Sequence, residues 1–288
     1  ITLSSSVVPI TTYLDTIQVQ NLLQSALGYT EELAVSLYGC YQKAITIYNL
    51  PAAFMVSLTA CIVPAVSAAL TKKDRVGAGK IAESALRVGA LLALPAGVGL
   101  AVLSGPIIQL LYPETNQEVG AHCLLVLGIA SIFVCVMLLC NAILQANGRA
   151  ALPIWFIAIG SAIKLGVNFV LVQVPSIGIK GAPVGTLACF AIVSVLELLA
   201  IKRVTPHPPK YLRVFVKPTL AAAIMGAAAW GCYGLLAAHL GNTLAVAGAI
   251  VIAVVIYAIL VVVLRIVSRD DLSLMPKGEK IAKLLHIR

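Results

Sequence analysis

The sequence predicts an all-α polytopic membrane protein with about eight transmembrane helices. Hydrophobic residues make up 60% of its 288 positions and charged residues only 11%, whereas soluble domains carry about 25% charged residues. The apolar residues gather in stretches long enough to cross about 30 Å of hydrocarbon, which takes about 20 helical residues. These stretches cover residues 1–23, 44–70, 88–111, 119–144, 152–174, 177–201, 214–240 and 243–267.

The distribution of Lys and Arg predicts how these helices are oriented. Of the 20 basic residues, all but Lys43, Lys164 and Lys180 lie in alternate gaps between the stretches, at their edges or in the C-terminal tail. Basic loops stay in the cytoplasm, so the first helix is predicted to run outward and the C-terminus to be cytoplasmic. The opposite gaps are acidic and hold Glu31, Glu32, Glu114 and Glu118.

The two ends of the chain suggest different roles. The first apolar stretch begins at Ile1 without an initiator Met or a charged segment before it. We therefore expect the chain to be the C-terminal half of a larger transporter whose N-terminal lobe is its partner. Residues 268–288 are basic and amphipathic, which predicts a short cytoplasmic tail helix that lies on anionic membrane lipid.

Composition and spacing exclude several functions. The net charge of +9 follows from the predicted topology, and basic residues do not alternate with aromatic ones as in nucleic-acid-binding surfaces. The seven Cys residues form no CxxC pair and have no His at ligand spacing, so no metal site is predicted. No Ser, His and Asp set or pair of carboxylates indicates a hydrolase. We expect no enzyme activity and no cofactor.

The first apolar stretch is unusually polar for a helix that faces lipid. A charged Asp15 in hydrocarbon would cost about 2.5 to 3.5 kcal/mol, so a partner or an aqueous cavity must offset it. Asp15 is accordingly predicted to line a substrate cavity. The alternative is that the span ends early and leaves Asp15 at the outer interface. The other polar residues of this stretch are Ser4, Ser5, Ser6, Thr11, Thr12 and Gln18.

Lys164 lies near the middle of its apolar stretch, where no other charge is present. Asn168 follows four residues later and shares its helical face. Lys164 and Asn168 are predicted to line a cavity, with Lys164 holding an anionic headgroup or pairing with an acid such as Asp15. The alternative is a lysine that extends its ammonium group toward the membrane surface. Glu197, five residues before Lys202, is expected at the cytoplasmic interface.

Further polar and helix-bending residues occur within the spans. Asn49, Asn141 and Gln145 are candidates for substrate contact, with helix packing as the alternative. Pro and Gly residues predict bent helices, hinges and close helix contacts, and Gly181 with Gly185 matches the GxxxG packing motif. The prolines at or within spans are Pro9, Pro51, Pro64, Pro95 and Pro183.

Short sequence matches along the whole chain carry a resemblance to a known family. The chain resembles the stage V sporulation protein B and polysaccharide-transporter branch of the MOP flippase superfamily, which includes MurJ and the MATE exporters. The matching residues are Leu37, Tyr38 and Gly39; Asn49, Leu50 and Pro51; Ile62, Val63, Pro64, Ala65, Val66 and Ser67; Leu94, Pro95, Ala96 and Gly97; Ile143, Leu144, Gln145, Gly148 and Arg149; Lys164 and Asn168; and residues 178–182 and 269–276.

The resemblance implies a fourteen-helix, two-lobed transporter of the bacterial cytoplasmic membrane. In that arrangement residues 1–203 form the six-helix C-terminal lobe and residues 204–267 add two transmembrane helices. The implied substrate is a lipid-linked oligosaccharide, such as a peptidoglycan or polysaccharide precursor on a polyprenyl pyrophosphate, moved by alternating access. Members of the family carry several cavity arginines, whereas this half places only Lys164 at depth. A coupling ion, Na⁺ or H⁺, is compatible with this mechanism.

Two other functions remain as alternatives. The first is a cation-coupled drug or metabolite exporter similar to the MATE proteins, in which Asp15 would be the coupling acid. The second is a membrane-embedded glycosyl or acyl transferase, which would recruit His122, Glu114 and Glu118 near the outer face. The sequence supplies no catalytic partner for these three residues.

Overall fold

The computed structural model of the chain describes residues 2–205, 209–264 and 266. These residues are helical apart from short connections and include no β-strand. The predicted basic tail, residues 268–288, lies outside them. The side chains of residues 2–11, including Pro9, are likewise outside the described part.

Eight α-helices and one short 3-10 turn make up the described chain. Seven segments are long and apolar enough to cross a membrane, which confirms the predicted fold class. α1 is long enough, but its polar side chains exclude it from that set. The elements are α1 (Thr2–Ser25), α2 (Glu31–Thr71), α3 (Arg75–Val102), α4 (Ser104–Leu111), α5 (Gln117–Ala146), α6 (Ala151–Val172), a 3-10 turn (Gly178–Gly181), α7 (Ala182–Val204) and α8 (Tyr211–Val263).

Two helices begin well before the apolar stretches that predicted them. α2 begins where the Thr30 hydroxyl accepts a hydrogen bond from the Leu33 amide at 3.4 Å. α3 begins where the Asp74 carboxylate accepts from the Gly77 amide at 2.8 Å. Side-chain caps satisfy amides that a helix leaves unpaired at its start, so both helices extend into polar sequence. The third predicted span was wrong as one helix, because the chain divides at Leu103 into α3 and α4.

α8 contains the last two predicted spans as two arms, Val214–His239 and Gly241–Val263. Gly241 separates them with φ of 72° and ψ of 167°. A side chain at that φ would clash with the backbone, and glycine alone adopts such angles readily. The chain therefore reverses between the arms with almost no loop.

α5 lies at the centre of the bundle and packs against α2, α3 and α7. Its Leu124, Leu127 and Leu139 side chains are almost wholly enclosed. α6 packs between α7 and α1, while α8 packs along α3. The division into a lobe of residues 1–203 and two additional helices stays a prediction.

Glycines allow α3 and α5 to approach closely. A Cβ atom placed on Gly128 would lie 2.6 Å from the Ala101 amide nitrogen, and one placed on Gly97 would lie 2.7 Å from the Gly128 carbonyl oxygen. Helices in lipid gain little from the hydrophobic effect on association, so such close packing provides much of their attraction. The contact keeps α5 against the rest of the bundle.

We expect Gly128→Ala to destabilise the full-length protein by about 1 to 3 kcal/mol, since the added methyl group meets backbone atoms that cannot turn aside. Gly39→Ala on α2 is the matched control, because a Cβ there meets nothing within 4 Å. Thermal unfolding in detergent would show a lower midpoint for Gly128→Ala only. Equal midpoints for the two variants would contradict the close contact.

Candidate functional site

α1 and α6 are joined by a buried ion pair. The Lys164 ammonium donates to Asp15 Oδ2 at 2.8 Å, and the Asn168 amide nitrogen donates to Asp15 Oδ1 at 2.6 Å. Both oxygens of the Asp15 carboxylate thus accept a hydrogen bond. The structure pairs Lys164 with Asp15, the acid that the sequence suggested as its partner, whereas the depth of Asp15 in the membrane stays a prediction.

Burial makes this contact significant. Asp15 is 2% exposed and Asn168 is fully buried, while the Lys164 side chain is 14% exposed. Removing two charges from water costs several kcal/mol per ion, and only close pairing with further hydrogen bonds offsets that cost. The three residues therefore act as one neutral unit that keeps α1 against α6 in this conformation.

Gly185 on α7 provides the space for Asn168. A Cβ on Gly185 would lie 2.1 Å from Asn168 Oδ1, and a Cβ on Gly181 would lie 2.7 Å from Leu171 Cβ. Both glycines of the GxxxG segment thus face α6. Asn168 Oδ1 is buried and accepts no hydrogen bond. The described hydrogen bond of this side-chain amide is therefore the one that its nitrogen donates to Asp15.

A second set of polar contacts connects α1 to α2. The Thr16 hydroxyl and the Tyr38 hydroxyl lie 2.8 Å apart, and the Gln42 amide donates to the same Tyr38 oxygen at 2.8 Å. The Tyr41 hydroxyl lies 2.9 Å from the Thr186 hydroxyl on α7. These contacts surround the ion pair with hydrogen-bonding groups from three helices.

Sequence reasoning missed this second set. Tyr38 and Gln42 are four residues apart and share a face of α2, which was a usable signal. Tyr38 served only as a marker of family resemblance, because aromatic residues in a membrane span more often pack against lipid. Its pairing with α1 depends on how the helices are arranged in space.

The other predicted cavity residues are not joined to the ion pair by the described hydrogen bonds. Asn49 on α2 and Gln145 at the end of α5 are exposed, and Asn141 is half-buried. Helical structure continues through Pro51 and Pro64 in α2 and through Pro95 in α3. No hydrogen bond described in this part of the chain connects Asn49, Asn141 or the Gln145 side chain to Asp15 or Lys164.

Glu197 is enclosed by protein, whereas the charge expected at the cytoplasmic interface would be exposed. Its side chain is fully buried in α7. Neither carboxyl oxygen has a hydrogen-bond partner. The five residues that separate it from Lys202 amount to about 7.5 Å along a helix, which is enough to bring it among apolar side chains.

The two cations on the predicted outer side contact their own partners. The Lys180 ammonium donates to Glu118. The Lys43 ammonium donates to the Thr115 hydroxyl at 2.6 Å and lies 5.4 Å from the centre of the Tyr112 ring.

The described residues contain no cluster of three or more His, Cys, Asp or Glu residues that could hold a metal ion.

We expect Lys164→Met to destabilise the full-length protein by about 3 to 5 kcal/mol, because it leaves the Asp15 carboxylate buried without its cation. The double variant Asp15→Asn with Lys164→Met removes both charges and should recover most of this loss. Thermal unfolding of the wild type, both single variants and the double variant completes the cycle. Additive effects of the two substitutions would show that the charges do not interact.

Comparisons with known proteins agree with this architecture. The family model described as lipid II flippase MurJ matches residues 2–247. The uncharacterized membrane protein YabM of Bacillus subtilis (strain 168) is 27% identical over 91% of this chain and 49% of its own length. Stage V sporulation protein B of the same organism is 25% identical over 81% of this chain and 44% of its own length. The chain thus spans about half the length of these relatives.

Solved structures show the same fold. A structure of lipid II flippase MurJ in an inward closed conformation superposes with a TM-score of 0.69 at 18% identity, covering 88% of this chain and 51% of that one. An outward-facing multidrug resistance MATE family transporter of the MOP superfamily superposes with a TM-score of 0.59 at 16% identity, covering 98% of this chain and 64% of that one. At these low identities the structural likenesses show only a shared fold. The family assignment comes from the family model, which covers most of this sequence. The chain is a multi-pass membrane protein that belongs to the lipid II flippase MurJ family.

Proposed function

We propose that the full-length protein moves a lipid-linked oligosaccharide across the bacterial cytoplasmic membrane by alternating access, with this chain as its C-terminal half. The observation that carries the proposal is the family match over residues 2–247. Such a substrate needs a carrier, because its polar headgroup cannot enter hydrocarbon without losing hydrogen bonds to water. A peptidoglycan or polysaccharide precursor on polyprenyl pyrophosphate has such a polar headgroup joined to a hydrocarbon tail.

An apolar groove between α3 and α8 supports a substrate with a hydrocarbon tail. Its cavity volume is about 450 Å³, and Leu92, Pro95, Met225 and Val254 are among its lining residues. The hydroxyl of Tyr257, which also lines it, donates to the Leu91 carbonyl at 2.9 Å. The groove therefore offers a tail almost nothing but apolar surface.

The groove is accessible from the outside of the described bundle. Leu92 is 42% exposed and Val254 is 62% exposed. A long isoprenoid chain could lie in this groove while its headgroup occupies a polar path elsewhere in the protein. The tail then never has to enter water, and the headgroup never has to enter lipid.

The ion pair is the proposed headgroup contact on this half. In the described conformation the Lys164 ammonium is engaged by Asp15. We propose that movement of α1 away from α6 releases Lys164 to an anionic headgroup, with Asn168 as a neighbouring hydrogen-bond donor. Asn49, Asn141 and Gln145 remain candidates for sugar contacts in other conformations. Further cations for a pyrophosphate would come from the N-terminal half.

The charge distribution supports a cytoplasmic C-terminus. Four basic residues of the predicted cytoplasmic gaps are exposed: Arg75 and Lys80 at the start of α3, and Lys202 and Arg203 at the end of α7. Basic residues also attract anionic lipid of the inner leaflet.

A Na⁺ or H⁺ gradient is the proposed energy source, and no cofactor is proposed.

The alternatives receive less support. The MATE likeness is one of fold at 15 to 18% identity, and the acid that a cation-coupled exporter would use, Asp15, is already neutralised by Lys164. A transferase would need a free acid at the outer face. Glu118, a candidate for that role, accepts a hydrogen bond from Lys180. We therefore favour transport over catalysis.

The groove predicts a matched pair of substitutions. Val254→Trp should slow flipping by about tenfold, equivalent to about 1.4 kcal/mol, because its ring fills the space for the tail. Val251→Trp lies one turn away, is 63% exposed like Val254 at 62%, and does not line the groove. The measurement is transfer of a fluorescent lipid-linked oligosaccharide in proteoliposomes. Equal rates for both variants would exclude the groove as the tail site.

The headgroup role of Lys164 can be separated from its structural role. The double variant Asp15→Asn with Lys164→Met leaves no buried charge unpaired, so it should remain folded. If Lys164 contacts the headgroup, this variant should flip substrate at least about tenfold more slowly, the loss expected for one charge-assisted hydrogen bond. A wild-type rate in proteoliposomes would remove Lys164 from the substrate path.

A further inference from the structure

Glu197 is a buried acid that the proposed transport path does not use. Its side chain has no exposed surface, and both carboxyl oxygens lack a hydrogen-bond partner. One turn earlier on α7, the Ser194 hydroxyl donates to the Phe133 carbonyl at 2.7 Å, which joins α7 to α5. Glu197 thus lies at a close contact between these two helices.

This part of α7 packs into an apolar cluster. Ile201, one turn nearer the cytoplasmic end, is fully buried and belongs to the same apolar cluster as Val214 and Cys140. The titratable groups nearby are the Cys140 thiol on α5 and the Tyr211 hydroxyl of α8, which donates to the Leu198 carbonyl at 2.7 Å.

No described cation balances the carboxyl group. On α6, which also packs against α7, the charged residue is Lys164, and Asp15 already engages it. Lys202 and Arg203 at the end of α7 are exposed to solvent. Glu197 takes part in none of the described salt bridges.

An ionised carboxylate in such a place would cost many kcal/mol, whereas a neutral carboxylic acid costs far less. A metal ion would require several oxygen ligands around one site, and the described residues offer Glu197 alone. A proton is the ligand that a single unpartnered carboxylate can bind with no further group. The geometry therefore favours the protonated acid.

We propose that Glu197 is a proton-binding site that couples protonation to the packing of α5 against α7. The acid keeps its proton while the two helices are in contact. When the cytoplasmic end of the interface opens and admits water, the O–H bond breaks, the proton passes to water and the carboxylate remains. Proton binding is independent of the proposed flippase activity, and only its use in driving transport rests on that function.

Infrared spectroscopy of the full-length protein in lipid tests the proton directly. At about pH 7 an ordinary Glu is ionised, so a protonated Glu197 should give a carboxylic acid C=O band that Glu197→Gln removes. Glu118→Gln is the matched control, since the Glu118 side chain is 81% exposed and paired with Lys180. The proposal is overturned if the Glu197→Gln spectrum retains the whole band.

Cys140 tests the coupling, because this native thiol is fully buried beside Glu197. Mass spectrometry would follow its labelling by a water-soluble maleimide from about pH 6 to about pH 9, a range that spans ordinary thiol titration. The Glu197→Gln variant keeps a neutral side chain at all pH values. Its thiol reacts with the same intrinsic pH dependence as the wild-type thiol, so the variant serves as the reference.

Because Glu197 keeps its proton only while the α5–α7 interface is closed, the closed interface is favoured at low pH and becomes less stable as pH rises. The ratio of wild-type to Glu197→Gln labelling at Cys140 should increase by up to about tenfold for each pH unit over which opening releases the proton. A ratio that stays constant with pH would overturn the coupling. Neither measurement involves substrate, so failure of the flippase proposal would be seen separately in the transport assay.

Discussion

The contact between Asp15 and Lys164 is the interaction on which the arrangement of the first helix depends. α1 is too polar to be held by lipid alone, and its carboxylate would be costly in hydrocarbon without a cation. The pair, with Asn168 completing the carboxylate's hydrogen bonds, makes α1 part of the bundle. If the proposed alternating access is correct, α1 and α6 would separate by exchanging this ion pair for contacts of each charge with water or substrate.

Small residues make these polar contacts geometrically attainable. Gly185 leaves room for Asn168 to reach Asp15, and Gly128 with Gly97 brings α3 against α5. In a membrane, where association of helices depends on close packing and hydrogen bonds, glycine thus determines which polar groups meet. Small residues also line the apolar groove along α3 and α8, where Ala96, Gly99 and Ala253 lie among larger apolar side chains.

Glu197 and Asp15 show two solutions to the same electrostatic constraint. Asp15 is neutralised by a cation from another helix, so separating the helices exposes two opposite charges. Glu197 has no such partner among the described residues, and a proton is the simplest way to neutralise it. If both acids respond to helix movement, the first does so through an ion pair and the second through pH. The two responses would occur on different helix pairs, α1 with α6 and α5 with α7.

The sequence by itself determined the all-α membrane class, the approximate positions of the spans and the family, because apolar length and basic residues report directly on crossing a bilayer. It also marked Asp15, Lys164 and Asn168 as unusual, since charge at mid-depth is costly wherever the helix lies. Only the tertiary structure decided that these three residues meet, that Tyr38 and Thr186 lie around them, and that Glu197 is enclosed by protein. Such facts depend on helix rotation and on contacts between residues more than 100 positions apart, which local patterns do not encode.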